Sequence, residues 1–457
     1  MNSGDEAWML TASAMVQLMT PGLALFYGGL ANEQATLSTI MLCFSTMGVV
    51  TVLWSLVGFS LAFAPNLAPN GIIGSNMYAP LDLVTPNNVV YLNQVPGSLW
   101  TPIPGGASTT ITTHTFAMFQ LMFAIITSAI IAGSLVGKIK WSYFVLFTAL
   151  WHLCVYCPLA HWIFYSGGWM AQYGVIDYAG GMVIHLSSGV ASLVMAAWLN
   201  FTSPHPPKKH VPHNVPTVLI GAALLWFGWF GFNAGSALAA NYSAGLAFTN
   251  TQLGAAAGML TWNALEIVAG EKWFQGRPSA VGAATGAIVG LVGITPSAGF
   301  VAPMWALFIG FFTVLPAFPA GHLVKRFLGV DDCLDCFAIH GVGGAVGSAL
   351  TGLFANAGIS ANIDQTGKPA QGSFYGQAIL LGKQCAGISA TVLYTVVATS
   401  VIFWVLWALA KALRDTIDLS PENRNFPDSS QHGETAYFKD KASAPSAAPV
   451  LSSVASA

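Results

Sequence analysis

Long apolar stretches alternate with short polar segments along most of the chain. Because a helix needs about 20 apolar residues to cross the hydrocarbon core of a membrane, each stretch predicts one membrane span. A membrane β-barrel would instead show short strands of alternating polarity, which the sequence does not contain. We therefore predict an all-α integral membrane protein with eleven transmembrane helices. These lie near residues 8–30, 36–64, 111–136, 141–165, 178–201, 215–238, 251–270, 280–298, 300–323, 336–355 and 376–411.

Composition agrees with this prediction, and the placement of charge adds an orientation. Of the 457 residues, 54% are hydrophobic and 7% are charged, with a mean hydropathy of +0.64, whereas soluble domains carry roughly 25% charged residues. Lys and Arg concentrate in the cytoplasmic loops of membrane proteins. Only Lys368 and Lys383 are assigned to outer loops. The loops after odd-numbered spans hold Lys138, Lys140, Lys208, Lys209, Lys272, Arg277, Lys325, Arg326, Lys411 and Arg414. This bias predicts an outer N-terminus and a cytosolic C-terminus.

The polar segments predict two further features. Residues 65–110, rich in Pro, Asn and Gly, are long enough either to fold over an outer entrance or to act as a spacer. After residue 411 the chain turns polar and ends in an Ala/Ser-rich stretch, which favours a cytosolic tail, 412–457, disordered towards its end. The membrane domain is therefore predicted to comprise residues 1–411. The six cysteines lie in or beside predicted spans and indicate no disulfide framework.

Two predicted spans carry the same polar pattern. Asp177 precedes His185 by eight residues, and Asp332 precedes His340 by the same number. A glycine follows each histidine by four residues, at positions 189 and 344. The histidines lie five spans apart, which predicts an internal repeat. Because five is odd, the second copy must enter the membrane from the opposite side, giving two inverted five-helix repeats plus a final helix.

Paired histidines at membrane depth indicate a polar site. An ionisable side chain is costly there and normally faces a cavity or a pathway. Neutral imidazole offers one donor and one acceptor, and it titrates close to neutral pH. His185 and His340 could therefore line a narrow pore for a small hydrogen-bonding solute or relay protons. Each could instead be an ordinary core histidine, although their matched spacing makes that interpretation weaker.

Other residues leave alternatives open. Cys333, Cys336 and His340 lie on one helical face, an arrangement that could bind a soft metal ion in a metal transporter. Glu266 in the seventh span could be a proton site or a packing contact between subunits. The spacing of Gly282, Gly286 and Gly290 is typical of close helix packing. No basic patch suggests nucleic-acid binding, and nothing predicts an enzyme or a cofactor.

Several runs together resemble a known family. The segments PGLALFYGGL, LWFGWFGFNAGSA, VIDYAGGMVIHLSSG, GITPSAGF, DDCLDCFAIHGVGG and HGETAY are similar to those of the ammonium transporter family, the Amt, Mep and Rh proteins. This resemblance covers nearly the whole chain. It implies a homotrimer in the plasma membrane, each protomer with its own pore. It also implies ammonium or ammonia as the substrate, with methylammonium as a further candidate.

The resemblance also implies roles for individual residues. It makes His185 and His340 the twin histidines of the pore, and Phe123 and Phe232 two stacked rings that gate it from outside, with Phe119 beside them. Asp177, Ser236 and Phe164 would belong to an outer recruitment site. Asp177 could instead be structural, with its carboxylate accepting backbone N–H bonds at the start of the fifth span.

Position 164 departs from the family pattern, which usually has Trp there. Phe keeps a π face that can attract a cation, but it is a weaker one and lacks the indole N–H. We expect this change to affect the initial capture of the cation.

These residues suggest a transport mechanism. The protein would recruit NH₄⁺ outside, remove a proton and conduct NH₃ past the histidines, which could also relay the proton. An alternative is an ammonium sensor that signals through its tail, where cytosolic regulators could bind.

Overall fold

The computed structural model describes residues 2–76, 79–81, 110–204, 211–270, 276–360 and 371–437. Within these ranges the protein is helical, with two isolated bridges and no strand. Ten helices of the described ranges are long and apolar enough to cross a membrane, which makes this a multi-pass membrane protein. They are α1 (Ser3–Leu30), α2 (Glu33–Phe63), α3 (Thr113–Leu135), α4 (Trp141–Tyr173, interrupted at 165–168), α5 (Gly181–Thr202), α6 (Val215–Gly235), α8 (Ala280–Ser297), α9 (Pro303–Leu328), α10 (Phe337–Phe354) and α11 (Ile379–Ala412).

The seventh predicted span also forms a helix, α7 (Tyr242–Ala269), of 28 residues. It is longer than predicted, since it begins nine residues before position 251. It is not among the ten apolar helices, because Asn, Gln, Thr and Glu side chains lower its hydropathy. Asn250 uses its amide to bind the backbone oxygens of Ala298 and Val301, so part of this polarity serves contacts with the segment between α8 and α9.

Glycines allow two helix pairs to approach closely. A Cβ placed on Gly221 of α6 would lie 2.2 Å from the backbone nitrogen of Phe26 in α1. A Cβ on Gly290 of α8 would lie 2.2 Å from the backbone oxygen of Gly254 in α7. The backbones of both pairs are therefore in direct contact, and for α7 and α8 this agrees with the spacing of Gly282, Gly286 and Gly290.

Residues 413–437 lie against one end of the bundle, which we call the tail face. The buried carboxylate of Asp428, in the short helix α12 (Pro427–His432), accepts hydrogen bonds from the backbone N–H groups of Leu37 (3.0 Å) and Ser38 (2.7 Å) in α2. Gln431 accepts a bond from the Trp141 N–H at the start of α4 (2.6 Å). The tail thus caps the first turns of two membrane helices that have no side-chain N-cap of their own.

An ion pair and a tyrosine strengthen this docking. Lys140 forms an ion pair with Asp415 of the tail. The Tyr437 hydroxyl is hydrogen-bonded to Nε2 of His213, a residue just before α6, at 3.1 Å. The hydrogen bond from Lys140 lowers the pKa of Asp415 below its usual range. The predicted polar tail is therefore ordered against the membrane domain through Tyr437. The Ala/Ser-rich end of the tail, predicted to be disordered, lies outside the described residues, as does 82–109 of the predicted outer loop.

The structure places several of the basic residues that the predicted orientation used. Lys138 forms an ion pair with Asp331 at 3.0 Å on the tail face, close to Lys140. Lys383, assigned to an outer loop, instead belongs to the second turn of α11, because that helix continues with polar residues beyond its apolar core. Lys368 lies outside the described residues.

Candidate functional site

His185 and His340 meet in the interior of the bundle. Their Nδ1 atoms lie 3.2 Å apart, and their rings are 19° from parallel. Both side chains are buried, at 1% and 3% exposure. One Nδ1 must donate and the other accept, so in a neutral pair one Nε2 is a donor and the other an acceptor. The two predicted pore histidines thus form a single hydrogen-bonded unit.

The start of α5 is fixed by Asp177. Its buried carboxylate accepts four backbone hydrogen bonds, which satisfies the N–H groups that a helix leaves free in its first turn. The donors are Gly180 (2.9 Å), Gly181 (2.7 Å), Met182 (2.8 Å) and Val183 (3.4 Å). Asp177 therefore anchors the helix that carries His185.

Asp332 has the same role for α10. It accepts backbone hydrogen bonds from Cys336 (3.1 Å) and Phe337 (2.8 Å), and one from the hydroxyl of Ser134 at 2.6 Å. His340 follows one turn later. The matched Asp-to-His spacing in the sequence thus corresponds to two capped helices with a histidine at the same distance from the cap.

Each histidine lies in a π-helical turn, Gly181–Leu186 in α5 and Phe337–Val342 in α10. Such turns occur often at functional sites, because the extra residue redirects a side chain. Two glycine contacts bring the turns together. A Cβ on Gly189 would lie 2.1 Å from the Gly341 nitrogen, and one on Gly344 would lie 3.2 Å from the Cβ of His185.

Two phenyl rings stack on each other next to the histidine pair. Phe123 of α3 and Phe232 of α6 have ring centroids 4.2 Å apart and planes 12° from parallel. Phe119 meets Phe123 edge-on at 4.8 Å. The ring of Phe232 is 6.0 Å from that of His185. The structure thus brings five of the predicted site residues into one continuous group.

A cavity lies next to this group of side chains, between α1, α3, α6, α8 and the two histidines. Its walls are apolar except for the two imidazoles and one indole. His185 Nε2 is buried and has no hydrogen-bond partner among the described residues. The cavity is lined by Met19, Leu23, Phe26, Ile126, Ile130, His185, Leu225, Trp229, Phe232, Ile288 and His340.

The sequence prediction omitted Trp229. Its ring lies 5.3 Å from that of His185 and 19° from parallel. The sequence did suggest a position for Trp229, because it precedes Phe232 by three residues and therefore lies on the same face of the helix. The surrounding aromatic-rich run, however, gave no reason to prefer one ring over another.

The other two predicted vestibule residues are also buried. Ser236 follows Phe232 by one turn, and its hydroxyl donates to the Phe232 backbone oxygen at 2.9 Å. Phe164 is the last residue of a helical segment of α4, just before the break at 165–168, and is 3% exposed. Its neighbour Trp162 donates its indole N–H to the Ile72 backbone oxygen at 2.7 Å.

The thiols of the alternative metal site have other partners. Cys333 Sγ lies 3.3 Å from the Ser134 backbone oxygen, and Cys336 Sγ lies 3.3 Å from the Tyr27 hydroxyl. His340 is engaged by His185. Within the described ranges, no three His, Cys, Asp or Glu side chains group closely enough to hold a metal ion. The metal-transport alternative therefore gains no support from this geometry.

Comparison with known proteins identifies the family. The sequence profile described as "Ammonium Transporter Family" matches residues 7–437. The chain belongs to the ammonium transporter family. The match runs from α1 to Tyr437 of the docked tail, so both the membrane helices and the tail are part of the family pattern.

Individual relatives agree with this membership. The chain is 41% identical over 437 residues to the ammonium transporter of Bacillus subtilis (strain 168), which covers 96% of this chain and 99% of that protein. It is similar to the crystal structure of Saccharomyces cerevisiae Mep2, with a TM-score of 0.77, 32% identity, and coverage of 91% of this chain and 90% of that one. A solved "Sensor Amt Protein" has a TM-score of 0.76 and 25% identity, covering 93% and 96%.

Family membership bears on two of the sequence predictions. A transporter moves its substrate without converting it, so membership in the ammonium transporter family is consistent with a protein that is not an enzyme. The relatives named as transporters are more similar to this chain than the sensor protein is, so transport is favoured over the sensor alternative.

Glu266, interpreted from the sequence as a proton site or a packing contact between subunits, has a contact inside the protomer. In this family member, Glu266 at the end of α7 accepts hydrogen bonds from the backbone N–H (2.7 Å) and the hydroxyl (2.8 Å) of Ser279, which itself caps α8. Its carboxylate therefore joins two helices of one protomer, and the packing interpretation gains support within the subunit.

Proposed function

We propose that this protein transports ammonium by recruiting NH₄⁺ at an outer vestibule, removing one proton and conducting NH₃ past His185 and His340. The observation that carries the proposal is the position of this histidine pair, directly hydrogen-bonded and buried in an apolar cavity beneath the Phe123–Phe232 stack. Family membership supports the substrate.

The apolar cavity provides the selectivity. Moving an unpaired cation from water into such surroundings is prohibitive, so a group that can lose its charge does so. Ammonium can release a proton and continue as NH₃, whereas K⁺ has no such route. Since the walls offer polar groups only at His185, His340 and Trp229, a bare cation would find too few ligands to replace its hydration shell.

The histidine pair suits ammonia in particular. Because the Nδ1 atoms are committed to each other, one Nε2 is free to accept an N–H of ammonia and the other to donate to its lone pair. The proton released at the vestibule either returns to the outer solution or passes along the pair. In the second case the net movement is that of NH₄⁺.

The vestibule would capture the cation before it is deprotonated. The ring of Phe164 offers a π face, and Ser236 offers a hydroxyl oxygen. Asp177 contributes indirectly, since its carboxylate is occupied by the backbone of α5 and orients the helix rather than contacting the cation.

We further propose the complete architecture. The helix α7 also crosses the membrane, giving eleven spans: inverted repeats of α1–α5 and α6–α10, and then α11. The start of α5 lies beside Gln384 near the start of α11, whereas Asp332 before α10 lies beside Ser134 at the other end of the bundle, which supports the inversion. The membrane domain is 1–411 and the cytosolic tail 412–457, where regulators would bind.

The assembly proposed is a homotrimer in the plasma membrane, with the tail face in the cytosol and the N-terminus outside. The Lys138 and Lys140 contacts on the tail face support that orientation, because basic residues favour the cytosolic side.

Current and uptake recordings in proteoliposomes test the function. Wild-type protein should conduct ammonium and reject K⁺, while His185→Ala and His340→Ala should lose selective conduction or admit K⁺. His114→Ala, an exposed histidine at the start of α3, is the matched control and should behave as wild type. Wild-type rate and selectivity in both pore variants would refute the pore assignment. A current accompanying transport indicates net NH₄⁺ movement, and electroneutral uptake indicates NH₃ alone.

A further inference from the structure

The turn Thr295–Ser297 at the end of α8 contacts all three helices that carry the histidine site. Thr295 meets Trp229 of α6, Pro296 meets the start of α5, and Ser297 meets Thr351 of α10. Three consecutive residues thus connect the helices of Trp229, His185 and His340.

The donor and the acceptor of the hydrogen bond between Trp229 and Thr295 can be assigned. The Thr295 hydroxyl donates its single proton to the Leu291 backbone oxygen at 2.7 Å. Its oxygen therefore acts as an acceptor for the indole N–H of Trp229, at 2.8 Å. Thr295 and Trp229 are both almost fully buried, so an unmade bond at either end would leave a polar group without water.

The other two contacts reach the start of α5 and the last turn of α10. The Pro296 backbone oxygen accepts a bond from the Tyr178 N–H at 3.1 Å, and a Cβ on Gly181 would lie 2.6 Å from the Pro296 ring. The Ser297 hydroxyl lies 2.8 Å from that of Thr351, whose own proton goes to Gly347. The turn therefore fixes α5 just before the π turn of His185.

We propose that Thr295 is a positioning residue for ammonium transport: it holds the Trp229 indole parallel to His185 and so keeps the imidazole aligned with His340. This inference rests on the proposed function. Without the acceptor, the indole can rotate about its side-chain torsions into the narrow cavity, and the imidazole loses the flat surface that it stacks on. Loss of one such hydrogen bond corresponds to up to about a tenfold change in a rate or an equilibrium.

The decisive variants are Thr295→Val, which keeps the shape and removes the acceptor, and Thr295→Ser, which keeps the acceptor. In proteoliposomes we expect Thr295→Val to lower the maximal ammonium flux about three- to tenfold with half-saturation unchanged, since the vestibule is untouched. Thr295→Ser should recover most of the flux. The matched control is Thr391→Val in α11, a buried threonine whose hydroxyl has no partner among the described residues, and it should transport normally.

A double-mutant cycle separates positioning from general packing. Trp229→Phe removes the same hydrogen bond from the other side, so Thr295→Val added to it should have little further effect. Additive losses, or an unchanged flux in Thr295→Val, would overturn the proposal. If Thr295→Val fails to reach the membrane, Trp229→Phe alone must show the flux loss at unchanged half-saturation. His185→Ala is recorded in parallel: normal selective transport there refutes the proposed function, whereas its loss together with a silent Thr295→Val refutes only the positioning role.

Discussion

Gly189 of α5 lies directly against the backbone of Gly341 in α10, where an added Cβ would come within 2.1 Å of the Gly341 nitrogen. Gly341 follows His340, and Gly189 lies one turn after His185. The distance between the two helices at this point therefore sets the 3.2 Å separation of the imidazole nitrogens.

We predict that Gly189→Ala separates the histidines. Because the clash is with backbone, the helices must move apart, at a cost of about 1–3 kcal/mol in folding free energy, and selective ammonium flux should fall. Thermal unfolding and proteoliposome flux measure the two effects. Gly48→Ala in α2, where a Cβ meets nothing within 4 Å, is the control: flux should be unchanged, and stability should not fall, because Ala favours a helix by about 1 kcal/mol over Gly. Wild-type flux in Gly189→Ala would mean that this contact does not set the geometry of the pore.

The phenyl stack should act as a barrier to water and ions. Phe232→Ala removes one ring of the stack, so we expect water to enter the cavity and rejection of K⁺ to weaken. K⁺ flux into vesicles gives the readout. A control exists in Phe248→Ala, because Phe248 stacks on Phe230 with nearly the same geometry, at 4.1 Å and 12°, on an exposed part of α7. Equal K⁺ leakage from both variants would assign the effect to instability of the protein.

Position 164 should tune the capture of ammonium. A cation–π contact contributes about 0.5–2 kcal/mol and is strongest with Trp. Phe164→Trp should therefore tighten the apparent affinity by an amount between barely detectable and about tenfold, and Phe164→Ala should weaken it. Rejection of K⁺ should stay constant in the series, since it is assigned to the stack and the histidines. Identical half-saturation for Phe, Trp and Ala would transfer the capture role to another ring such as Trp162.

The docked tail should support activity through the helix starts that it caps. Truncation after Arg414 removes the carboxylate that binds Leu37 and Ser38, and we expect lower flux with the protein still in the membrane. Asp428→Ala should weaken docking by about 1 kcal/mol, which limited proteolysis of the tail measures. The control is Glu434→Ala, which removes the same negative charge from an exposed residue of the tail. Full activity of the truncated protein would make the tail a passive extension.

The Lys140–Asp415 contact predicts a pH dependence of docking. The pKa of Asp415 is lowered by the Lys140 hydrogen bond, so its contribution is present above the ordinary Asp value of about 3.9 and is lost as pH falls through the depressed value. Asp415→Asn should therefore increase hydrogen exchange in 413–425 at pH 5–8. The difference from wild type should vanish in stronger acid. A difference that disappears already between pH 5 and 8 would contradict this assignment.

Much of the site was predictable because its signals are local. Hydropathy identifies helices that leave water, and the repeated Asp-to-His spacing pointed to two equivalent segments before any contact was known. The resemblance to the ammonium transporter family supplied Phe119, Phe123 and Phe232, and the structure brings these rings together with the histidines.

By itself, then, the sequence determined a helical membrane protein, two capped histidine segments and the chemical character of a pore, since each depends on neighbours along the chain. Tertiary structure decided what those groups touch. It brought Nδ1 of His185 against Nδ1 of His340, set Trp229 against His185, and placed Asp428 under α2, some 390 residues earlier in the chain. Apolar periodicity records only that a face avoids water, so it cannot distinguish lipid, another helix or a cavity; that choice depends on how distant segments pack.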